Sequence, residues 1–161
     1  MKKIIAILLT LVMIFSFAAC GGSKASDKMP FEASFETADI KVTKAELRDP
    51  YDDGAALVVY YEYTNKEEAK NYAGKAIRLN LYSGDTNIDS IEFLDDVAPE
   101  EQGNEFKYVE PGEKITACLS FSIYNHDAAD EYKLTIRDYF EKEEAVEFTL
   151  DMSEVTEFVY E

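Results

Sequence analysis

From Phe31 onward, apolar and polar side chains alternate in short segments, and this pattern constrains the fold more than any other feature of the chain. A period of two places successive side chains on opposite faces of a β-strand. No segment keeps a helical period over three turns, although Glu67–Ala76 can hold one short helix. About seven strands are expected, which predicts an all-β, antiparallel β-sandwich with Greek-key connections. The predicted strands lie within Ile40–Leu47, Ala56–Thr64, Ile77–Leu81, Ile88–Phe93, Lys114–Tyr124, Tyr132–Ile136 and Val146–Leu150.

Turn residues separate these predicted strands. An acidic turn at Asp49–Gly54 precedes the second strand, and Ser83–Asp85 turns the chain after the third. A short strand at Phe106–Val109 leads into Glu110–Glu113, whose sequence EPGE predicts a type II turn. Proline suits the second position of that turn and glycine the third, where φ is positive.

Ala56–Thr64 is predicted to be a central strand, because β-branched and aromatic residues stand on both of its faces. Alternation places Tyr60 on the face opposite Tyr61 and Tyr63. If a sheet surface were exposed there, the tyrosines would offer flat amphipathic contact area for a sugar or a protein. The alternative is that they are buried in the sandwich.

The N-terminal residues are organised like an export signal. Lys2 and Lys3 precede the apolar segment Ile4–Phe17, which at roughly 14 residues is shorter than the ~20 that a spanning helix needs. The sequence FAAC that ends at Cys20 resembles a bacterial lipobox, in which the cysteine thiol receives a diacylglycerol before cleavage ahead of it. We therefore predict that Cys20 is the lipid attachment site. An ordinary Sec cleavage site or an uncleaved anchor is the alternative.

These features divide the chain into three parts. Residues 1–19 are predicted to form the lipoprotein signal peptide, residues 20–34 the lipidated Cys20 with a flexible linker, and residues 35–161 the sandwich domain. Two acyl chains hold a protein stably to a bilayer. The expected location is the cell membrane, with the domain lipid-anchored on the extracytoplasmic side.

The chain is strongly acidic, with 33 Asp and Glu residues, 16 Lys and Arg residues and a formal net charge of −17. Loss of Lys2 and Lys3 with the signal would leave 14 basic against 33 acidic residues, a formal net charge of −19. Nucleic acid and anionic lipid headgroups need a basic footprint, so neither is expected as a partner. Neutral or cationic partners and divalent metal ions remain, although acidity also simply keeps a surface protein soluble.

No catalytic residue, cofactor or metal site is predicted. His126 is the only histidine, which is too few for a zinc or copper site, and no motif of a serine nucleophile accompanies it. Once Cys20 is lipidated, Cys118 is the only thiol, and we expect it to be packed in a strand and inert.

Two acidic alternatives stay open. Sandwich loops can gather oxygen ligands for calcium, here from Asp52, Asp53, Asp127 and Asp130. Paired carboxylates can hydrolyse glycans. The pairs that the sequence offers for that chemistry are Asp95 with Asp96 and Glu100 with Glu101.

The run Ala56–Asn65 after an acidic turn and the later Val109–Glu113 resemble the small lipid-anchored domains of unknown function that are common in Gram-positive bacteria. Those domains are similar in turn to the immunoprotective extracellular immunoglobulin-like superfamily. The resemblance covers roughly residues 36–151. It implies an immunoglobulin-like β-sandwich and a surface location, and it carries no catalytic residues.

The chain is therefore interpreted as a lipid-anchored extracytoplasmic binding or interaction module, monomeric and not an enzyme. It contacts the membrane through the lipid on Cys20 and is expected to meet a membrane-proximal protein or wall component. The alternative is a small envelope enzyme that acts on glycan through paired carboxylates. A closed sandwich with an exposed apolar or tyrosine-rich patch would favour the module, and a deep cleft with two facing carboxylates the enzyme.

Overall fold

A computed structural model describes residues 28–51, 54–93, 98–123 and 129–158 of the chain. They form ten β-strands and a one-turn helix, α1 (Ala73–Ala76), together with two 3-10 turns at Asn104–Phe106 and Met152–Glu154. In these parts of the chain no helix has the length and apolar character needed to cross a membrane. The strands are β1 (Phe31–Ser34), β2 (Ala38–Tyr51), β3 (Gly54–Asn65), β4 (Ile77–Ser83), β5 (Thr86–Ile88), β6 (Ser90–Ile91), β7 (Lys114–Ser122), β8 (Glu131–Asp138), β9 (Val146–Asp151) and β10 (Thr156–Glu157).

The strands form two sheets that face each other. The first sheet has the order β1-β2-β3-β7-β6, and β10 adds to the outside of this path by pairing in parallel with β2. The second sheet has the order β5-β4-β8-β9, and every other pairing is antiparallel. The predicted antiparallel β-sandwich is confirmed. The strand neighbours β2-β3-β7-β6 and β4-β8-β9 match the A-B-E-D and C-F-G orders of an immunoglobulin sandwich.

β3 is the central strand of the first sheet, as predicted, because β2 and β7 flank it on either side. Its Val59, Tyr61 and Tyr63 point into the core between the sheets and are buried. Phe31 of β1 is also fully buried and stacks on Phe148 of β9 with 4.9 Å between the ring centroids. β1 therefore contributes to the core although it precedes residue 35, the predicted start of the domain.

The opposite face of β3 is buried as well. Tyr60 lies there, as alternation predicts, in a small cluster with Val58, Phe93 and Cys118. The hypothesis of an exposed tyrosine surface on this strand is wrong, because Tyr60, Tyr61 and Tyr63 are all buried. Cys118 is a buried free thiol, so the prediction of a cysteine packed in a strand is confirmed. Burial raises its pKa to about 12, which favours the unreactive thiol form.

The turn predicted at Glu110–Glu113 is confirmed. Gly112 has a φ of 77°, and the Glu113 N–H donates to the Glu110 carbonyl at 3.1 Å. The single strand predicted over Ile88–Phe93 is wrong. Its first residue ends β5 in the second sheet, and Ser90–Ile91 then forms β6 in the first sheet. The chain crosses from one sheet to the other within this segment, which the local alternation of side chains cannot show.

Candidate functional site

Most residues to which the sequence assigned possible chemistry lie outside the described parts of the chain. Of the proposed calcium ligands only Asp130 is described, and it precedes β8. Of the two carboxylate pairs only Glu100 and Glu101 are described, and they belong to a turn before Asn104–Phe106. Within the described ranges, no group of three or more His, Cys, Asp or Glu residues could hold a metal ion. The residues outside those ranges are Cys20, Asp52, Asp53, Asp95, Asp96, His126 and Asp127.

One side of the sandwich is closed by a turn instead of a strand. β6 pairs with β7 only at Ser120 and Phe121, and β5 pairs with β4 only over Leu81–Ser83. Over their remaining length, β7 and β4 have no strand neighbour on this side among the described residues. The 3-10 turn Asn104–Phe106 lies there, and the Asn104 side-chain amide donates to the Thr116 carbonyl of β7 at 2.8 Å.

Two cavities flank this turn, and we call them together the Glu105 groove. The larger is about 380 Å³ and the smaller about 250 Å³. Glu105, Phe106 and Leu119 line both cavities. The larger cavity is completed by Ser90, Ile91, Glu92, Gln102, Cys118 and Ser120, and the smaller by Tyr61, Gly74, Ile77, Arg78, Leu79 and Asn80.

Glu105 is the unusual residue of this groove. Only 8% of it is exposed, and its Oε2 atom is buried without a hydrogen-bond partner in the described parts of the chain. Burial raises the pKa of this carboxyl, and the charge of Glu92 adds to the effect. Backbone hydrogen bonds from Glu105 itself and from Gly103 act in the opposite direction but do not outweigh burial. A carboxylate here is costly unless a donor or a cation meets it.

The other polar groups of the groove do not supply that cation. Burial and the charge of Glu105 raise the pKa of Tyr61, and burial is also the main cause of the raised pKa of Cys118. Both side chains therefore stay neutral at physiological pH. Arg78 carries a positive charge, but its guanidinium lies over the Tyr139 ring, 4.7 Å from the centroid, and forms no ion pair with Glu105.

An exposed aromatic surface adjoins the groove, and we call Tyr72, Phe106 and Tyr108 the aromatic face. Phe106 and Tyr108 are 61% and 64% exposed. The Tyr72 and Tyr108 rings meet edge to face with 5.2 Å between centroids. Phe106 lies against α1, because a Cβ added to Gly74 would be 3.4 Å from its Cε1 atom. Such an aromatic surface beside a cavity is typical of a binding site.

Asn65 holds the two loops that carry the aromatic face. It is fully buried, and its side-chain amide donates to the carbonyls of Ala69 and Val109, each at 2.9 Å. Beyond it, Asn71 and Val109 form an antiparallel bridge. Continuing that register by one residue brings Tyr72 opposite Tyr108, which explains why the two rings meet.

The sequence analysis missed Glu105 and the aromatic face. The strand expected at Phe106–Val109 is wrong, since Phe106 ends a 3-10 turn and Val109 makes only an isolated bridge to Asn71. The available signal was two large aromatic residues close together in a loop that also contains Gly103 and Asn104. Aromatic side chains in a glycine- and asparagine-containing loop have no core-facing period and so are candidates for exposure.

Comparisons with known protein sequences give one family match. The model of one family, a domain of unknown function (DUF5067), matches residues 22–129. A comparison with curated protein sequences gives no significant match.

Solved structures of bacterial proteins share the fold. A candidate lipoprotein from Staphylococcus aureus subsp. aureus NCTC 8325 has a TM-score of 0.61 at 13% identity, over 82% of this chain and 96% of its own. A functionally unknown protein from Listeria monocytogenes EGD-e has a TM-score of 0.52 at 11% identity, over 75% of this chain and 81% of its own. The yjhA protein from Bacillus subtilis has a TM-score of 0.50 at 16% identity, over 74% of this chain and 96% of its own. At such identities the similarity concerns the fold alone.

Proposed function

We propose that this chain, which belongs to the family described as a domain of unknown function (DUF5067), is a lipid-anchored binding module on the extracytoplasmic side of the bacterial cell membrane. The observation that carries the proposal is the aromatic face beside the Glu105 groove. A closed sandwich with such a patch is the arrangement that favours a binding module over an enzyme.

The anchor in this proposal rests on the sequence, where Cys20 ends a lipobox-like run after an apolar signal segment. The Staphylococcus aureus protein that shares the fold is itself described as a candidate lipoprotein, which is compatible with such an anchor. With an anchor of two acyl chains and a tether of about ten residues that behaves as a random coil, as the sequence predicts, the domain would lie about 18 Å from its attachment point. Its partner would then be a membrane protein or a wall component close to the membrane.

Binding at the aromatic face can be tested in living cells by photocrosslinking. A benzoylphenylalanine placed at Phe106 replaces one aromatic residue by another and is expected to capture a specific partner. The matched control is the same probe at Glu147, an exposed residue of β9 at the far edge of the second sheet. Crosslinks at Phe106 that Tyr108→Ala abolishes support the proposal. Equal crosslinking at the two positions, or none at Phe106, contradicts it.

A second candidate function, glycan hydrolysis, is favoured by one observation. Glu92 and Glu105 line the same cavity, and burial raises the pKa of Glu105 as it does for a general acid in glycosidases. Glu92 would then act as the base or nucleophile. Release of reducing ends from purified cell wall, lost in both Glu105→Gln and Glu92→Gln, would support an enzyme. Absence of release by the wild-type chain would reject it.

A further inference from the structure

We propose that the Glu105 groove binds a basic side chain, lysine or arginine, presented by a protein partner. This inference rests on the proposed binding function and names the chemistry of the partner. It begins from a buried acceptor without a donor on a residue that lines both cavities of the groove, the Glu105 Oε2 atom. Buried polar atoms in folded proteins are nearly always paired, so each exception requires an explanation.

A cation that carries N–H donors is the group that best pairs with the buried Glu105 carboxylate. The unpaired Glu105 Oε2 atom is an acceptor, so the group that meets it must donate a hydrogen bond. A hydroxyl ligand would leave the charge of Glu105 uncompensated, whereas an ammonium or guanidinium group satisfies both charge and hydrogen bonding. The second acidic residue of the groove, Glu92, adds to the attraction. Tyr61 and Cys118 stay neutral, and Arg78 is held over Tyr139.

An organic cation fits the groove better than a metal ion. Calcium takes six to eight oxygen ligands, and no group of three or more possible ligand residues occurs in the described ranges. The walls of the groove are partly apolar, with Ile91, Phe106 and Leu119 beside the carboxyl. A long aliphatic stem that ends in a charged head matches that combination.

The aromatic face indicates that the cation belongs to a protein. A free amine would touch only the groove and would leave the exposed rings of Tyr72 and Tyr108 uncovered. Phe106 belongs both to the groove and to the aromatic face, so a bound basic residue would bring its chain neighbours onto Tyr108 and Tyr72. Exposed aromatic side chains around a buried anchor are the usual composition of a protein-binding surface. The acidic balance of the whole chain adds charge complementarity to a basic segment.

Calorimetric titration of the full chain in phosphatidylcholine nanodiscs tests the inference. The probe is the acetylated and amidated peptide Gly-Phe-Lys-Leu-Gly, and its matched control has norleucine in place of lysine. We expect the lysine peptide to bind about tenfold or more tightly than the norleucine peptide, because the charged head pairs with a buried carboxylate. Glu105→Gln should abolish this preference. Glu110→Gln, which removes an exposed acid of the neighbouring turn, should preserve it.

Each other outcome overturns a defined part of the inference. Equal binding of the two peptides, binding of neither, or a preference that persists in Glu105→Gln rejects recognition of a cation by Glu105. If hexylammonium binds as tightly as the lysine peptide and Tyr108→Ala does not change the affinity for the peptide, the bound cation does not come from a protein partner. Urea unfolding of Glu105→Gln is the control that checks whether the variant is folded. Partner-specific crosslinks at Phe106 in cells would remain in these cases, so failure here is distinguishable from failure of the proposed function.

Discussion

The carboxylate of Glu46 and the guanidinium of Arg48 form an ion pair on the outer face of the first sheet, with 3.1 Å between Oε1 and Nε. Their side chains are only 3% and 8% exposed. Arg48 also donates to the Tyr60 hydroxyl at 3.0 Å, and its guanidinium lies 4.0 Å from the centroid of the Phe158 ring. Because Phe158 follows β10, the pair helps to hold the C-terminal strand against β2.

Glu46→Gln should destabilise the domain. The buried guanidinium of Arg48 would lose its carboxylate while it keeps the hydrogen bond to Tyr60, so we expect a cost of about 3 kcal/mol, at the low end for a broken buried pair. Glu32→Gln is the matched control, because its ion pair with Lys41 is exposed and should contribute less than about 1 kcal/mol. Urea unfolding followed by circular dichroism measures both. Equal effects of the two substitutions would show that burial of the Glu46–Arg48 pair contributes nothing.

Asn65→Ala should loosen the loops that carry the aromatic face. It removes the two hydrogen bonds to Ala69 and Val109, and only the Val109 carbonyl keeps another donor, the Asn71 N–H at 3.1 Å, so we expect a cost of about 2–3 kcal/mol. Crosslinking from Phe106 should fall as well, since the loops position that residue. Asn87→Ala, on an exposed position of β5, is the control and should leave both the stability of the domain and crosslinking from Phe106 unchanged. A folded Asn65→Ala variant with full crosslinking would contradict this role.

The sandwich itself could be predicted from the sequence because strand faces are a local property. Val59 and Tyr61 are buried on one face of β3 and Tyr60 on the other, and the alternation of residues 56–64 determines this without knowledge of the partners. The type II turn at Glu110–Glu113 is local in the same sense, since proline and glycine restrict the backbone directly.

The groove could not be predicted, because it depends on which strands fail to pair. It exists where β6 and β5 stop short along β7 and β4, and the chain crosses between the sheets at Asp89. Neither property leaves a periodic signal in the sequence. The burial of Glu105 follows from these missing neighbours, so the residue cannot be distinguished by sequence from the other acids of the chain.

Glu105→Gln should stabilise the domain at neutral pH. Burial raises the pKa of Glu105 above its ordinary value of 4.5, so the folded state holds the proton to a higher pH than the unfolded state does. The stability of the wild-type protein therefore falls as pH rises from 4.5 to the raised pKa, and the loss persists above it. Each unit of that difference corresponds to about 1.4 kcal/mol.

The test compares urea unfolding of the wild type and Glu105→Gln across pH. The gain in the variant should disappear well below pH 4.5, where Glu105 is protonated in both states. Glu110→Gln, on an exposed residue, should show no such dependence. A variant that is less stable than the wild type at neutral pH would mean that the Glu105 carboxylate has a favourable partner in the free protein.

Cys20→Ala should abolish lipid attachment, because the Cys20 thiol is the acceptor that the lipobox-like run provides. The variant is expected to accumulate as unprocessed precursor or to be released from the cell. Metabolic labelling with an alkyne fatty acid reads this out directly, and Cys118→Ala is the control, since its buried thiol should not affect labelling. If the anchor supports function by raising the local concentration of the domain near its partner, released protein should bind the same partner yet give fewer crosslinks from Phe106 at equal abundance. A Cys20→Ala variant that is labelled like the wild type would reject Cys20 as the site of lipidation.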